Sequence, residues 1–177
     1  MRVVSGKYRG KKLKEFELST TKPTLDKVKE AMFDMIQFHV VDSVVLDLFA
    51  GTGALGIEAI SRGAKKTYLV DNNSQAIKII KENLKGVDED YFLINQNGLE
   101  FLKSTNEKFD IVLLDPPYKT DLGIRAIEIL VEQNKLNNNA IILFETSNDL
   151  NIELEYPNFK ITKKKYGTVA VFKMVKQ

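Results

Sequence analysis

The sequence predicts an α/β fold, a mainly parallel sheet covered by helices on both sides and finished by an antiparallel C-terminal hairpin. Three observations carry this. From residue 43 onward, short strands that are apolar on both faces alternate with helical segments, the pattern of a sheet buried on both sides. The first of those strands runs directly into a glycine-rich turn and a helix, "VVLDLFAGTGALGIEA". The last stretch, "FKITKKKYGTVAVFKM", reads as two strands around a glycine-containing turn with no helix between them.

Taken in order, residues 2–5 and 11–14 flank "GKYRG" and read as a small hairpin. "TTKPT" then breaks the chain. In the helix that follows, Val28, Ala31, Met32, Met35 and Ile36 recur at helical spacing, with Thr24 expected as its N-cap. This extension, residues 1–40, is expected to lie outside the main sheet, and residues 41–177 to form the Rossmann-like core of one domain. Within the core, "SVVLDLF" is a strand and residues 53–62 a helix. "TYLVD" is the next strand, and residues 73–85 form a helix with Ala76, Ile77, Ile80 and Leu84 on one side. "YFLIN", a short helix at 98–103, "FDIVLLD", a helix at 121–134 and "AIILFE" complete the alternation.

Composition removes several kinds of chemistry. The chain has no cysteine, which excludes thiolate catalysis and cysteine-ligated zinc, and its one histidine, His39, cannot build a metal cluster or a triad. His39 reads as an ordinary residue near the end of a helix, and no metal is expected. No segment reads as a signal peptide or a membrane anchor, so a cytoplasmic location is expected. The formal net charge is only +2, but the charge is segregated. Residues 1–14 hold Arg2, Lys7, Arg9, Lys11, Lys12 and Lys14, residues 156–177 hold six more lysines, and neither segment holds an acid. Clustered cations of this kind are what a phosphate-binding face leaves in a sequence.

The glycine loop points to a nucleoside-containing cofactor. Gly51 and Gly53 permit a tight turn and close backbone approach, and the following helix N-terminus offers free N–H groups. Asp71, ending the next strand about 20 residues on, can accept hydrogen bonds from ribose hydroxyls. Asp47, at the carboxyl end of the first strand, would repel a pyrophosphate but can pair with the cationic end of S-adenosylmethionine. Phe49, between them, is counted with the cofactor residues. Glu58, on the helix after the loop, is read as an exposed residue and left out.

Asp115 also emerges at the end of a strand, into "DPPY". Pro116 and Pro117 stiffen the corner and lack N–H groups. Asp115 and the Pro116 carbonyl can each accept a hydrogen bond from the exocyclic amino group of a base, stabilising positive charge on its nitrogen as a methyl group arrives. Tyr118 provides a flat face for stacking. A base paired in a helix cannot reach such a corner, so the target must be flipped out or already unpaired.

"GKYRGKKL", "KPTLDKVKEAMFDMI", "DLFAGTGALGIEAISRGA", "DPPY" and "KKYG" together make the chain resemble the RsmD-type bacterial 16S rRNA (guanine-N2)-methyltransferases. The resemblance implies a class I S-adenosylmethionine-dependent methyltransferase fold of seven strands and a target guanine in 16S rRNA within the small ribosomal subunit or its assembly intermediate. No particular oligomer is required. It implies cofactor contacts at Asp47, Gly51, Gly53 and Asp71 and catalysis at Asp115, Pro116, Pro117 and Tyr118. Three positions depart from the family pattern. Lys22 replaces an arginine before "PT" and is counted with the N-terminal cations as an RNA contact. Asn97 replaces an aspartate that meets the adenine amino group, a bond its amide oxygen can still accept. Thr168-Val169 replaces an Asp-Thr pair. Three other readings remain open at this point: an adenine-N6 methyltransferase on DNA or RNA, an NAD-dependent oxidoreductase, and a non-catalytic RNA-binding protein.

Overall fold

The structure, a computed structural model, describes residues 1–17, 23–149 and 155–177. In chain order its elements are α1 (Pro23–Asp34), β1 (Val44–Leu48), α2 (Ala54–Ser61), β2 (Lys66–Asp71), α3 (Ser74–Asn83) and β3 (Tyr91–Asn95). There follow α4 (Gly98–Ser104), β4 (Phe109–Leu114), α5 (Leu122–Glu132), β5 (Leu136–Ser147), β6 (Phe159–Tyr166) and β7 (Val169–Lys176). The strands form one sheet in the order β3-β2-β1-β4-β5-β7-β6. Strands β1 to β5 run parallel, and β7 pairs antiparallel with both β5 and β6. The chain leaves β1 toward β2 on one side, while β4 lies on the other. The crevice at the carboxyl ends of β1 and β4 is therefore the switch point where open α/β sheets bind ligands.

Both faces of the central strands β1, β4 and β5 are buried, and the register divides their residues between the two faces. Val45, Ile111, Leu113, Ile141 and Leu143 face Val28, Met32, Phe33 and Ile36 of α1 and its C-terminal turn. Leu46, Leu48, Val112, Leu114, Ile142 and Phe144 face Leu102, Ala126, Ile127 and Leu130 of α4 and α5. Each fully buried Leu, Ile or Phe contributes about 1.5–3 kcal/mol, so this two-sided packing is the main force holding the strand ends in place. Helix α1 begins at Pro23, where the missing N–H costs nothing, so Thr24 lies inside the first turn rather than capping it.

The N-terminal hairpin shrinks to one antiparallel bridge, Arg2 with Lys12. The segment is instead anchored to the helices beneath it. Val3 and Leu13 bury against Ile57, Ile60, Ile80 and Leu84. Glu58 is the polar centre of that contact: it is fully buried, its two oxygens accept the backbone N–H groups of Val4 (2.9 Å) and Ser5 (3.0 Å), and it pairs with Lys29 and Arg62. The expectation that Glu58 is exposed is thus corrected. A helix pattern alone does not reveal that another segment covers the helix. Gly6 is required at this seam, since a Cβ there would fall 1.8 Å from the Ser61 carbonyl oxygen. His39 is exposed in the turn after α1. Among the described residues, no helix is long and apolar enough to cross a membrane.

Candidate active site

At the switch point lies a cavity of about 430 Å³ lined by Phe49, Gly51, Asp71, Asn97 and the whole Asp115–Tyr118 corner, with Phe16 of the N-terminal segment at its edge. A smaller cavity of about 90 Å³ adjoins it through Phe49 and Asp115 and is lined also by Asp47, Lys29 and Glu145. Phe49 and Gly51 of the glycine loop and the "DPPY" corner, about 60 positions apart in sequence, therefore share one crevice, whereas Gly53 lines neither cavity and packs toward Ile80 and Leu69.

The larger cavity is built for binding. Asp71 ends β2, and both of its carboxylate oxygens are occupied: Oδ2 accepts the Gly51 N–H and Oδ1 the Asn73 N–H, each at 2.8 Å. The acid is fixed in direction while keeping lone pairs free for further donors. A Cβ at Gly51 would meet no protein atom within 4 Å and would project into the space the loop encloses. Gly53 has φ +79, in the left-handed region, and begins α2. Phe49, which separates the two cavities, also has positive φ (66°), a costly state for a bulky residue that the packing around the site must hold. An acceptor at one end, apolar Val70, Ala76 and Leu122 on the walls and a glycine floor fit a nucleoside.

Asn97 behaves differently from the expectation that its amide oxygen meets an adenine amino group. That oxygen caps α4, accepting the N–H groups of Leu99 (3.0 Å) and Glu100 (3.2 Å). What Asn97 leaves for the cavity is its amide NH₂, a donor suited to a ring nitrogen.

Asp47 lies behind the glycine loop rather than beside it. It is fully buried, and its Oδ2 accepts the Gly56 N–H at the start of α2 at 2.8 Å. Burial raises its pKa to about 7, with the charges of Asp115 and Asp71 adding to the rise and the Gly56 bond opposing it. Gly56 is needed here, because a Cβ would fall 3.0 Å from Asp47 Oδ2 and 2.7 Å from Leu69.

The corner is the opposite of Asp71 in its bonding. Asp115 follows β4 and is open to the cavity, yet protein surrounds it closely enough that desolvation holds its carboxyl above the ordinary range. Among the described residues, nothing donates a hydrogen bond to it. Pro116 is buried, and Tyr118 is half exposed (52%), its hydroxyl donating to Glu145 Oε1 at 3.3 Å. Burial and then the charges of Glu145 and Asp115 raise the Tyr118 phenol, so it stays protonated and keeps donating. Sequence reasoning misses Glu145. It ends the apolar run of β5 as Asp115 ends that of β4, and an acid closing an apolar parallel strand is the signal that could have found it.

The predicted RNA contacts divide. Arg2, Arg9, Lys12 and Lys14 are exposed. Lys7 is paired with Glu89 at 2.7 Å, a bond that raises its pKa, and Lys11 Nζ donates to the Lys85 carbonyl at 2.7 Å. Lys22 lies outside the described residues. Val169 is buried in β7 beside Ser147 and Tyr166, while Thr168 is exposed.

Residues 1–175 match the family model described as conserved hypothetical protein 95. Among curated proteins, the chain is similar to the ribosomal RNA small subunit methyltransferase D of Haemophilus influenzae, 39% identical over 84% of this chain and 80% of that one. Among solved structures it superposes on an Escherichia coli chain provisionally named as a methyltransferase, with TM-score 0.90 and 28% identity over 100% of this chain and 98% of that one. A Thermus thermophilus 16S rRNA N2 G1207 methyltransferase, solved with AdoMet and guanosine, aligns with TM-score 0.73 at 20% identity, covering 92% of this chain and 45% of that one, a likeness of fold alone.

Proposed function

The chain belongs to the family described as conserved hypothetical protein 95, and from that membership and the corner at Asp115 we propose that it methylates the exocyclic N2 of a guanine in 16S rRNA. It is a methyltransferase, and its cofactor, S-adenosylmethionine, supplies an electrophilic sulfonium methyl group. Asp71 holds the ribose, Gly51 admits the nucleoside, Gly53 makes the left-handed turn into α2 against Ile80 and Leu69, and Asp47 faces the cationic amino-acid end, whose charge favours its ionised form. The NAD-dependent reading leaves Asp47 and the corner without a task.

The observation that carries the reading is Asp115, a cavity-facing carboxylate to which the described residues donate no hydrogen bond, at the head of a rigid Pro-Pro corner. Its oxygen and the Pro116 carbonyl accept the two N–H bonds of an amino group. The nitrogen lone pair is then drawn out of conjugation with the ring, and positive charge on nitrogen is stabilised as the new bond forms. The methylated nitrogen is cationic and sheds a proton readily, so no histidine base is needed. Stacking on Tyr118 contributes about 1–3 kcal/mol. Arg2, Arg9, Lys12 and Lys14 hold flanking phosphates, and an rRNA substrate places the enzyme in the cytoplasm.

The test is transfer of labelled methyl from S-adenosylmethionine to small ribosomal particles lacking base methylation, followed by nucleoside analysis. N2-methylguanosine is the expected product. Label on adenine N6, or on DNA alone, would overturn the substrate.

A further inference from the structure

The adenine-N6 and guanine-N2 reactions need the same corner, so Asp115 and Pro116 alone do not choose between the bases. Glu145 lies where that choice can be made. In the β4–β5 ladder Leu113 pairs with Leu143 and Leu114 with Phe144, so the next step along both strands sets Glu145 beside Asp115. The alternation of side chains puts both acids on the face that carries Asp47, Leu113 and Leu143. Glu145 is only 5% exposed and lines the smaller cavity together with Asp115.

No counter-charge balances it among the described residues. Lys29 lines the same cavity, but its Nζ is committed to Glu58 at 3.3 Å and the Arg2 carbonyl at 2.5 Å. The one donor to Glu145 among the described residues is the Tyr118 hydroxyl, on Oε1. Burial, and then the charge of Asp115, raise the Glu145 carboxyl well above the ordinary range, so the unliganded chain disfavours its ionised form. That form becomes favourable when a ligand brings a donor to the remaining oxygen.

Once Asp115 and the Pro116 carbonyl hold both hydrogens of an exocyclic amino group, the next atom on that edge of the base is a ring nitrogen. In guanine that atom is N1–H, a donor; in adenine it is N1, an acceptor whose lone pair a carboxylate repels. We propose that Glu145 accepts the N1–H of the target base and thereby selects guanine over adenine. Tyr118 serves two ends: its ring stacks on the base, and its hydroxyl orients Glu145 toward it. The inference rests on the function proposed above and goes beyond it by assigning the selecting residue.

The test uses full-length protein and small ribosomal particles reconstituted with 2-aminopurine at the nucleotide that the wild-type enzyme methylates. This base keeps the 2-amino group but presents a bare N1. The wild-type enzyme is expected to prefer guanine over 2-aminopurine by at least about 100-fold in kcat/KM, because a site built around a donor rejects an analogue lacking it. Glu145→Gln, which can turn its NH₂ toward N1, is expected to narrow that ratio to about 10-fold or less. Cofactor affinity, which reports on folding, should stay within a few-fold. A wild-type ratio near one, or a ratio that Glu145→Gln leaves unchanged, overturns the role of Glu145 while N2-methylguanosine formation still stands. Loss of cofactor binding in the Gln variant reassigns Glu145 to the cofactor. A wild-type enzyme that makes no N2-methylguanosine overturns both proposals together.

Discussion

Asp71 and Asp115 each come at the end of a parallel strand and face the same cavity, yet they are bonded in opposite ways. Asp71 has a backbone N–H on each oxygen, whereas Asp115 receives none among the described residues. On the function proposed above, the difference separates two jobs. A carboxylate already held by the backbone loses little freedom when it meets a ligand, which favours binding. A carboxylate kept without partners in a desolvated corner has its full accepting power left for charge that develops during reaction.

If that division is right, Asp115→Ala gives the largest effect. Methyl transfer should fall about 10²–10³-fold, with cofactor affinity within a few-fold by calorimetry. A large loss of cofactor affinity would erase the distinction. Asp71→Ala should do the reverse, weakening cofactor binding about 10–100-fold, the worth of one or two charge-assisted bonds. An unchanged Kd would mean that Asp71 only shapes the loop.

The third prediction concerns Asp47. Its folded pKa of about 7 is raised, so the unliganded chain gains stability from its protonation at low pH and loses that gain as pH rises through about 7. A cationic ligand needs the carboxylate. Cofactor affinity should therefore increase between about pH 6 and 8, by up to about tenfold, and Asp47→Asn should flatten the rise. A pH-independent Kd in the wild-type protein would remove Asp47 from the cationic end.

The smallest effects belong to the surface. Neutralising Lys12 and Lys14 should weaken RNA binding and reduce the salt slope by about 0.7–0.9 for each phosphate left without its cation. Lys11→Gln should change the slope less, because its ammonium is already bonded to the Lys85 carbonyl. Equal effects at all three would show that this internal bond opens when RNA binds.

The elements are legible in the sequence because each strand and helix carries its own period, and the crevice is legible because strand order fixes where parallel ends gather. What escapes depends on contacts between distant segments. The strand expected at residues 140–145 spans Leu136–Ser147: Leu136 pairs with Phe109 across a register shift and Asn137 Nδ2 donates to Asp110 Oδ1 at 2.9 Å, contacts that no hydrophobic pattern reports. The two basic ends look alike in sequence. The C-terminal one falls largely on β6, the sheet edge, where lysines deter edge-to-edge pairing, and Lys173 and Lys176 bond to the carbonyls of Met35 and Leu136. The position of Asp47 at the ligand crevice follows from its place at the end of β1, but its burial and its bond to Gly56 come from helix packing. The sequence invites a reading of Asn97 from its amide oxygen, which the start of α4 has already claimed.

The most direct measurement is the single-turnover rate of methyl transfer to ribosomal particles for Asp71→Ala and Asp115→Ala at cofactor concentrations that saturate both. The division of labour predicts that Asp71→Ala recovers to within about threefold of wild type while Asp115→Ala stays about 10²–10³-fold slow. Recovery of both variants, or of neither, would contradict it.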